Sequence, residues 1–334
     1  MNTLLYTLSK VLFFISIFLS IFSCSKAQKL DEKQGEYSSK TVEFFNNQNY
    51  DSAIYYSDKI LEKSPENANV WLTKARSLFF VNKNEESIKA FDKAVELNPQ
   101  DNQLRMYRGT VYRLNGNEQK ALQDFDFILK TDINNSQAIA QKAMIHYRLK
   151  QYEKSIMTYD KLLKLDLLPF EKLLNLNGRA KAYIGMQKYD LAEQDIDNAL
   201  NLGIEKGITL ETKILLLNKK ENYQEALELA KQNLELAQNH ENIELRKEFV
   251  PYSYNNLGYQ KHKIGNTEEG IKDIMYSLEL MPTNSYAYKY LALISFELDK
   301  KEEGCQYIEK ALELGFTKMF GIEMEELKQE KCAN

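Results

Sequence analysis

The sequence predicts an all-α protein built from about eight stacked helical hairpins, with one more helix capping the C-terminal end. Three observations predict it. Apolar residues recur at helical spacing along most of the chain, the pattern returns every 34 residues, and helix breakers are scarce, with 5 prolines and 13 glycines in 334 residues. The clearest unit runs from Ala68 to Pro99. Trp71, Ala75 and Leu78 share one face of a first helix, Ser87, Phe91 and Ala94 share a face of a second, and Asn82-Lys83-Asn84 separate them. Pro99 comes where a helix must stop, because proline has no N–H to donate. A single hairpin cannot bury both faces of its helices, so copies must stack against it.

The N-terminus differs in kind. Lys10 is the only charge in the first 24 residues, and Val11 to Phe22 is apolar apart from two serines. Twelve helical residues span roughly 18 Å, short of the ~30 Å hydrocarbon core, so the run reads as the apolar part of a signal peptide over residues 1–23. Ile21-Phe22-Ser23-Cys24 then resembles a bacterial lipobox. The resemblance implies that Cys24 becomes the mature N-terminus and carries a diacylglycerol and an N-acyl chain, palmitate included, which together give stable attachment. Residues 24–33 form a short polar tether. Ser25 after the cysteine resembles lipoproteins sent to the outer membrane, and an acidic surface-export cluster is missing, which points to the periplasmic leaflet.

Unit starts fall at Gln34, Ala68, Asn102, Ser136, Leu173, Gly207, Pro251 and Ser285, with steps of 34, 34, 34, 37, 34, 44 and 34. Place 4 is apolar except for Arg105. Place 8, where the two helices of a hairpin approach, is small except for Ile214, and place 20 is small in every unit, from Ala53 and Ser87 to Gly270 and Gly304. Proline at place 32 survives as Pro65, Pro99 and Pro282. This pattern resembles the tetratricopeptide repeat, in the manner of a Bacteroidetes-like repeat lipoprotein. The resemblance implies a right-handed α-α superhelix over residues 34–316, capped by residues 317–334.

Two insertions interrupt the period. Three residues around Leu167-Leu168-Pro169-Phe170 are expected to lengthen a connection. Ten more are expected to extend the second helix of the sixth unit through Leu234 to Phe249, up to Pro251, with Asn239-His240 as the place for a kink; one continuous solenoid is the default, and the likeliest joint between sub-bundles lies there. The capping helix is expected over Lys318 to Lys331, with Met324 and Leu327 inward and Glu323, Glu325, Glu326, Lys328 and Glu330 toward solvent. Cys305 and Cys332 lie symmetrically about the turn Gly315 to Gly321, so antiparallel packing brings them together for a disulfide in an exported compartment. The alternative is two free thiols, one buried and one in a frayed tail.

Charge and motifs exclude several functions. The net charge of −4 is spread over interleaved acidic and basic residues, unlike a nucleic-acid surface. His146, His240 and His262 complete no metal motif, no glycine-rich stretch matches a phosphate loop, and no nucleophile elbow occurs. No enzymatic activity, cofactor, metal or small-molecule substrate is therefore expected. In the repeat family the first helix of each hairpin lines a concave groove, which implies a partner-binding patch of Arg76, Phe80, Met106, Arg113, Tyr147, Arg148 and Lys181. A second patch is Tyr252, Asn255, Tyr259, His262, Tyr286 and Lys289. The expectation is a membrane-anchored scaffold that binds another protein or peptide of the bacterial cell envelope. The alternatives are an outer-membrane assembly or secretion accessory lipoprotein, and a lipoprotein that captures glycans or nutrients.

Overall fold

The computed structural model describes residues 32–333; the signal segment, Cys24 and most of the tether lie outside the described residues. Within them are eighteen α-helices and no strand. Eight hairpins follow in order: α1 (Glu32–Asn46) with α2 (Tyr50–Leu61), α3 (Ala68–Phe80) with α4 (Asn84–Leu97), α5 (Asn102–Leu114) with α6 (Glu118–Thr131), and α7 (Ser136–Arg148) with α8 (Tyr152–Leu162). They continue with α9 (Pro169–Gly185) and α10 (Tyr189–Leu200), α11 (Lys206–Lys219) and α12 (Tyr223–Gln238), α13 (Ile243–Lys263) and α14 (Thr267–Leu280), and α15 (Ser285–Glu297) and α16 (Lys301–Glu313). Two short helices, α17 (Phe316–Phe320) and α18 (Glu323–Cys332), end the chain. The described residues divide into two compact units, 32–141 and 142–333.

One backbone device turns every hairpin. The residue at place 15 has a positive φ in all eight repeats: Gln48, Asn82, Lys150, Gln187, Glu221 and Asp299 lie between 55° and 61°, and Gly116 and Gly265 at 78° and 96°. The N–H that follows donates to the carbonyl five residues back, as in Lys83 to Leu78 (2.9 Å) and Lys188 to Tyr183 (2.9 Å). This left-handed turn satisfies carbonyls orphaned at the first helix's end and sends the chain back. Half of the second helices and several first ones then start on an asparagine or aspartate: Asn117 accepts from the Lys120 N–H, and Asp101 from those of Gln103 and Leu104.

The small places do what close approach requires. Ser87 Oγ donates across the hairpin to the Ala75 carbonyl (2.7 Å) and Ser155 Oγ to that of Ala143 (2.9 Å), each joining place 20 to place 8. In the seventh repeat both places are glycine, and a Cβ on Gly258 would lie 2.4 Å from the Gly270 carbonyl oxygen. Ile214, bulky at place 8, is buried with Ala226, Leu227 and Ala230, where small partners make room for it. Arg105, the polar exception at place 4, stacks on Phe127 at 3.6 Å and donates to the Pro99 carbonyl (2.8 Å). Trp71, at the same place one repeat earlier, donates to the Pro65 carbonyl (2.7 Å), so the two residues supply the same donor from the same place.

Four expectations are corrected. The ten extra residues do not extend the second helix of the sixth repeat: α12 ends at Gln238, and Asn242 starts α13 by accepting from the Glu244 and Leu245 N–H groups (2.9 and 3.1 Å). Pro251 therefore sits inside α13 instead of at its start. The three residues before the fifth repeat likewise add a turn to the front of α9, where Pro169 takes the first helical position. The division between units falls inside α7 and not after the sixth repeat, and Glu32 and Lys33 of the tether already belong to α1. Finally, the capping helix is broken at Gly321 (φ 105°) into α17 and α18. Glu323 and Glu326 keep the expected exposure and each also pairs within the chain, Glu323 with Lys289 and Glu326 with Lys150, while half-buried Glu325 accepts from the Thr317 hydroxyl.

Candidate functional site

In the unit 142–333 the first helices of five consecutive repeats turn one face inward. Tyr147 of α7, Lys181 of α9, Glu211 and Asn218 of α11, Tyr252 and Asn256 of α13, and Tyr286 and Tyr290 of α15 line a single chamber of about 790 Å³, mouth included. Phe320 and Glu323 of the C-terminal helices complete the wall. The helical repeat puts places 2, 5, 9 and 12 on one face, which is why residues so far apart in sequence converge.

The wall is aromatic and internally bonded. The Tyr290 hydroxyl donates to Asn256 Oδ1 (3.0 Å), and its ring stacks on Tyr259 at 4.4 Å. Tyr286 meets Tyr290 and Phe320 edge-on at 5.2 and 4.9 Å. Lys289 lies behind them, its Nζ 4.7 Å from the Tyr286 ring centre and 2.8 Å from Glu323 Oε2.

Burial sets the electrostatics. It pushes the Tyr147 and Tyr286 hydroxyls above their ordinary range, and the Glu323 carboxylate pushes both further. Burial lowers the Lys181 ammonium to about 8, against the opposing pull of Glu211. At Lys289 burial acts downward too, but Glu323 outweighs it and the net shift is upward. Burial would raise Glu323, and Lys289 more than offsets that, so its carboxyl stays below the usual range. At neutral pH the chamber thus presents protonated tyrosine hydroxyls and two amides beside oppositely charged groups, with aromatic faces between them. Such a wall can hold main-chain amides and stack against rings or apolar side chains.

The two patches expected from sequence fare differently. Tyr147, Lys181, Tyr252 and Tyr286, drawn from both, come together in this chamber. Lys289 backs it, and Tyr259 stacks on its wall. Asn255 is fully buried inside the repeat stack, and buried His262 bonds Glu297 (3.2 Å) and Thr267 (3.0 Å), so neither faces a partner. Arg148 is buried and donates to the Thr317 carbonyl (3.0 Å), a contact within the chain. The rest of the first patch belongs to the unit 32–141. There Arg76 lies over the Phe45 ring at 4.4 Å, Phe80 stacks on Tyr50 at 4.6 Å, and buried Arg113 donates to Gln141 Oε1 (2.6 Å). Met106 is half-buried on α5. Sequence reasoning missed Glu211 and Asn218, although they occupy groove places 5 and 12 of the sixth repeat. It also missed Asn256 and Tyr290, both at place 6, and Phe320 and Glu323, which lie beyond the repeat register.

Among the described residues no three or more His, Cys, Asp or Glu side chains are grouped to hold a metal, and no helix is long and apolar enough to cross a membrane.

The profile of the cytochrome c-type biogenesis protein H TPR domain matches residues 58–169. No curated protein sequence matches significantly. Among solved structures, a tetratricopeptide repeat protein from Parabacteroides merdae aligns over 91% of this chain and all of its own, at 19% identity and a TM-score of 0.55. Yeast Tom70 aligns over 96% of this chain and 68% of its own, at 18% identity and 0.59. The C-terminal part of a TPR repeat-containing protein from Cytophaga hutchinsonii aligns over 76% of this chain and 99% of its own, at 16% identity and 0.50. At these identities the likeness is one of fold, and the fold is the all-α tetratricopeptide-repeat solenoid.

Proposed function

We propose that this protein is a lipid-anchored scaffold of the bacterial cell envelope that binds a segment of another envelope protein. The observation that carries the reading is the convergence of hydrogen-bonding aromatic and amide side chains from five successive first helices on one chamber. Recognition there is by shape and hydrogen bonding, and attachment through Cys24 raises the local concentration at the membrane, facing the periplasm from the outer membrane. The signal-like run Val11 to Phe22 and the sequence Ile21-Phe22-Ser23-Cys24 support the anchoring part of the reading.

A photo-crosslinking residue at Asn218, inside the chamber, tests the binding part in living cells, with the same residue at half-buried Lys93 of α4 as control. One defined envelope protein is expected from position 218 and not from 93; equal capture from both removes the chamber as the binding site. Metabolic labelling with a palmitate analogue tests the anchor, and the label is expected to disappear in Cys24→Ala.

A further inference from the structure

The segment 315–332 is fixed to the eighth repeat at both ends. Phe316 and Met324 are fully buried in a cluster with Ala292, Ile308 and Ala311, and Cys332 is bonded to Cys305, their Cα atoms 5.8 Å apart. Its middle reaches the other way, to the fourth repeat. There the Thr317 carbonyl accepts from Arg148 (3.0 Å), Glu326 pairs with Lys150, and Gly321 lies against the Arg148 backbone so closely that a Cβ would be 3.0 Å from the Arg148 carbonyl oxygen. The two attachments are of different strength. The first is an apolar core and a covalent bond. The second is a main-chain contact and polar pairs, of which Lys150 and Glu326 are each nearly half exposed.

We infer that the ring around the chamber opens at the seam between α7 and the segment α17–α18, the segment travelling with the eighth repeat as one body. The inference rests on the chamber being the binding site, for which the seam is the entrance. The exposed Lys150–Glu326 pair is screened and breaks at low cost, and parting the seam returns the buried Arg148 guanidinium to water, which replaces its bond to the Thr317 carbonyl; peeling the segment off α16 would instead expose Phe316 and Met324. A solenoid accommodates such a seam because small rotations between neighbouring repeats add up along the stack.

The test uses the full chain in detergent, comparing wild type with Lys150→Glu, Glu326→Lys and the double swap. Iodination of Tyr147 and Tyr286 reports the chamber, and amide exchange of α18 reports the segment. Each single swap is expected to raise tyrosine modification roughly fivefold, the double swap to restore it, and α18 exchange to stay constant. Unchanged tyrosine reactivity overturns the inference, as does α18 exchange that rises in step with it, which would mean that the segment peels away. Raised reactivity with unaltered partner capture from position 218 supports the seam and removes the chamber as the partner's site.

Discussion

Arg179 meets Asp195 through two parallel hydrogen bonds, Nη2 to Oδ1 at 2.7 Å and Nε to Oδ2 at 2.8 Å, and Nη1 reaches Asp160 at 2.7 Å. Arg108, Asp124 and Asp92 repeat the triad two repeats earlier, with bonds of 2.7 to 2.9 Å. In both, an arginine at place 7 ties its own second helix to that of the preceding repeat. The two aspartates are not equivalent: Asp195 is 4% exposed and Asp160 42%. Asp195→Ala leaves Nε and Nη2 of the largely buried guanidinium without their acceptor, only Nη1 keeping Asp160, and is expected to cost about 3 kcal/mol in urea unfolding, against less than about 1 kcal/mol for Asp160→Ala. Equal costs would mean that the triad does not act through burial.

Gly258 and Gly270 cross with no room for a methyl group, the would-be Cβ of each lying 2.4 Å from the other's carbonyl oxygen. Backbone cannot step aside as a flexible side chain does, so Gly258→Ala is expected to destabilise by about 3 kcal/mol. Gly35, in α1, has nothing within 4 Å of the same position, and Gly35→Ala is expected to stabilise by about 0.5–1 kcal/mol. Chemical denaturation of the two variants gives opposite signs if packing at the crossing, and not glycine itself, decides the outcome.

Cys305 and Cys332 close a loop of 27 residues. On the chain-entropy account the bond is worth about 3.5 kcal/mol, so Cys305→Ser with Cys332→Ser should lower stability by that order and reductant should add nothing further. Mass measurement of the unreduced, alkylated wild type should find neither thiol modified; two alkylated cysteines would remove the bond.

Much of this architecture was legible because the repeat states it many times. Ala68, Asn102, Ser136 and Ser285 open helices where the 34-residue count puts them. What was misread lies where the count fails. Pro251 looked like a helix start, but Asn242 caps the backbone nine residues earlier, and the helix runs through the proline at the cost of one hydrogen bond. Arg105 looked like a flaw at place 4 and is a donor to the preceding turn. The chamber was half legible, since Tyr147, Lys181, Tyr252 and Tyr286 occupy groove places. Phe320 and Glu323 join it only because two glycines with positive φ, Gly315 and Gly321, fold the tail back across it, and no periodicity reports that.

Lys181 gives the site a pH signature. Burial lowers its ammonium to about 8 in the folded chain, while in the unfolded chain it titrates near 10.4. Below pH 8 both states hold the proton and the folded state bears the full burden of a buried charge. Between about 8 and 10.4 the unfolded state binds more protons, so this group's contribution to stability rises with pH until the burden is gone. Lys181→Met removes the charge at similar length. It is expected to stabilise the unit 142–333 by about 2 kcal/mol at pH 7, less than the full shift implies because water still reaches the side chain, and by almost nothing at pH 10.5. The measurement is the difference in unfolding free energy between wild type and variant across that range, which cancels the tyrosines common to both. A difference that stays constant with pH would mean that Lys181 keeps its ordinary proton affinity in the folded chain.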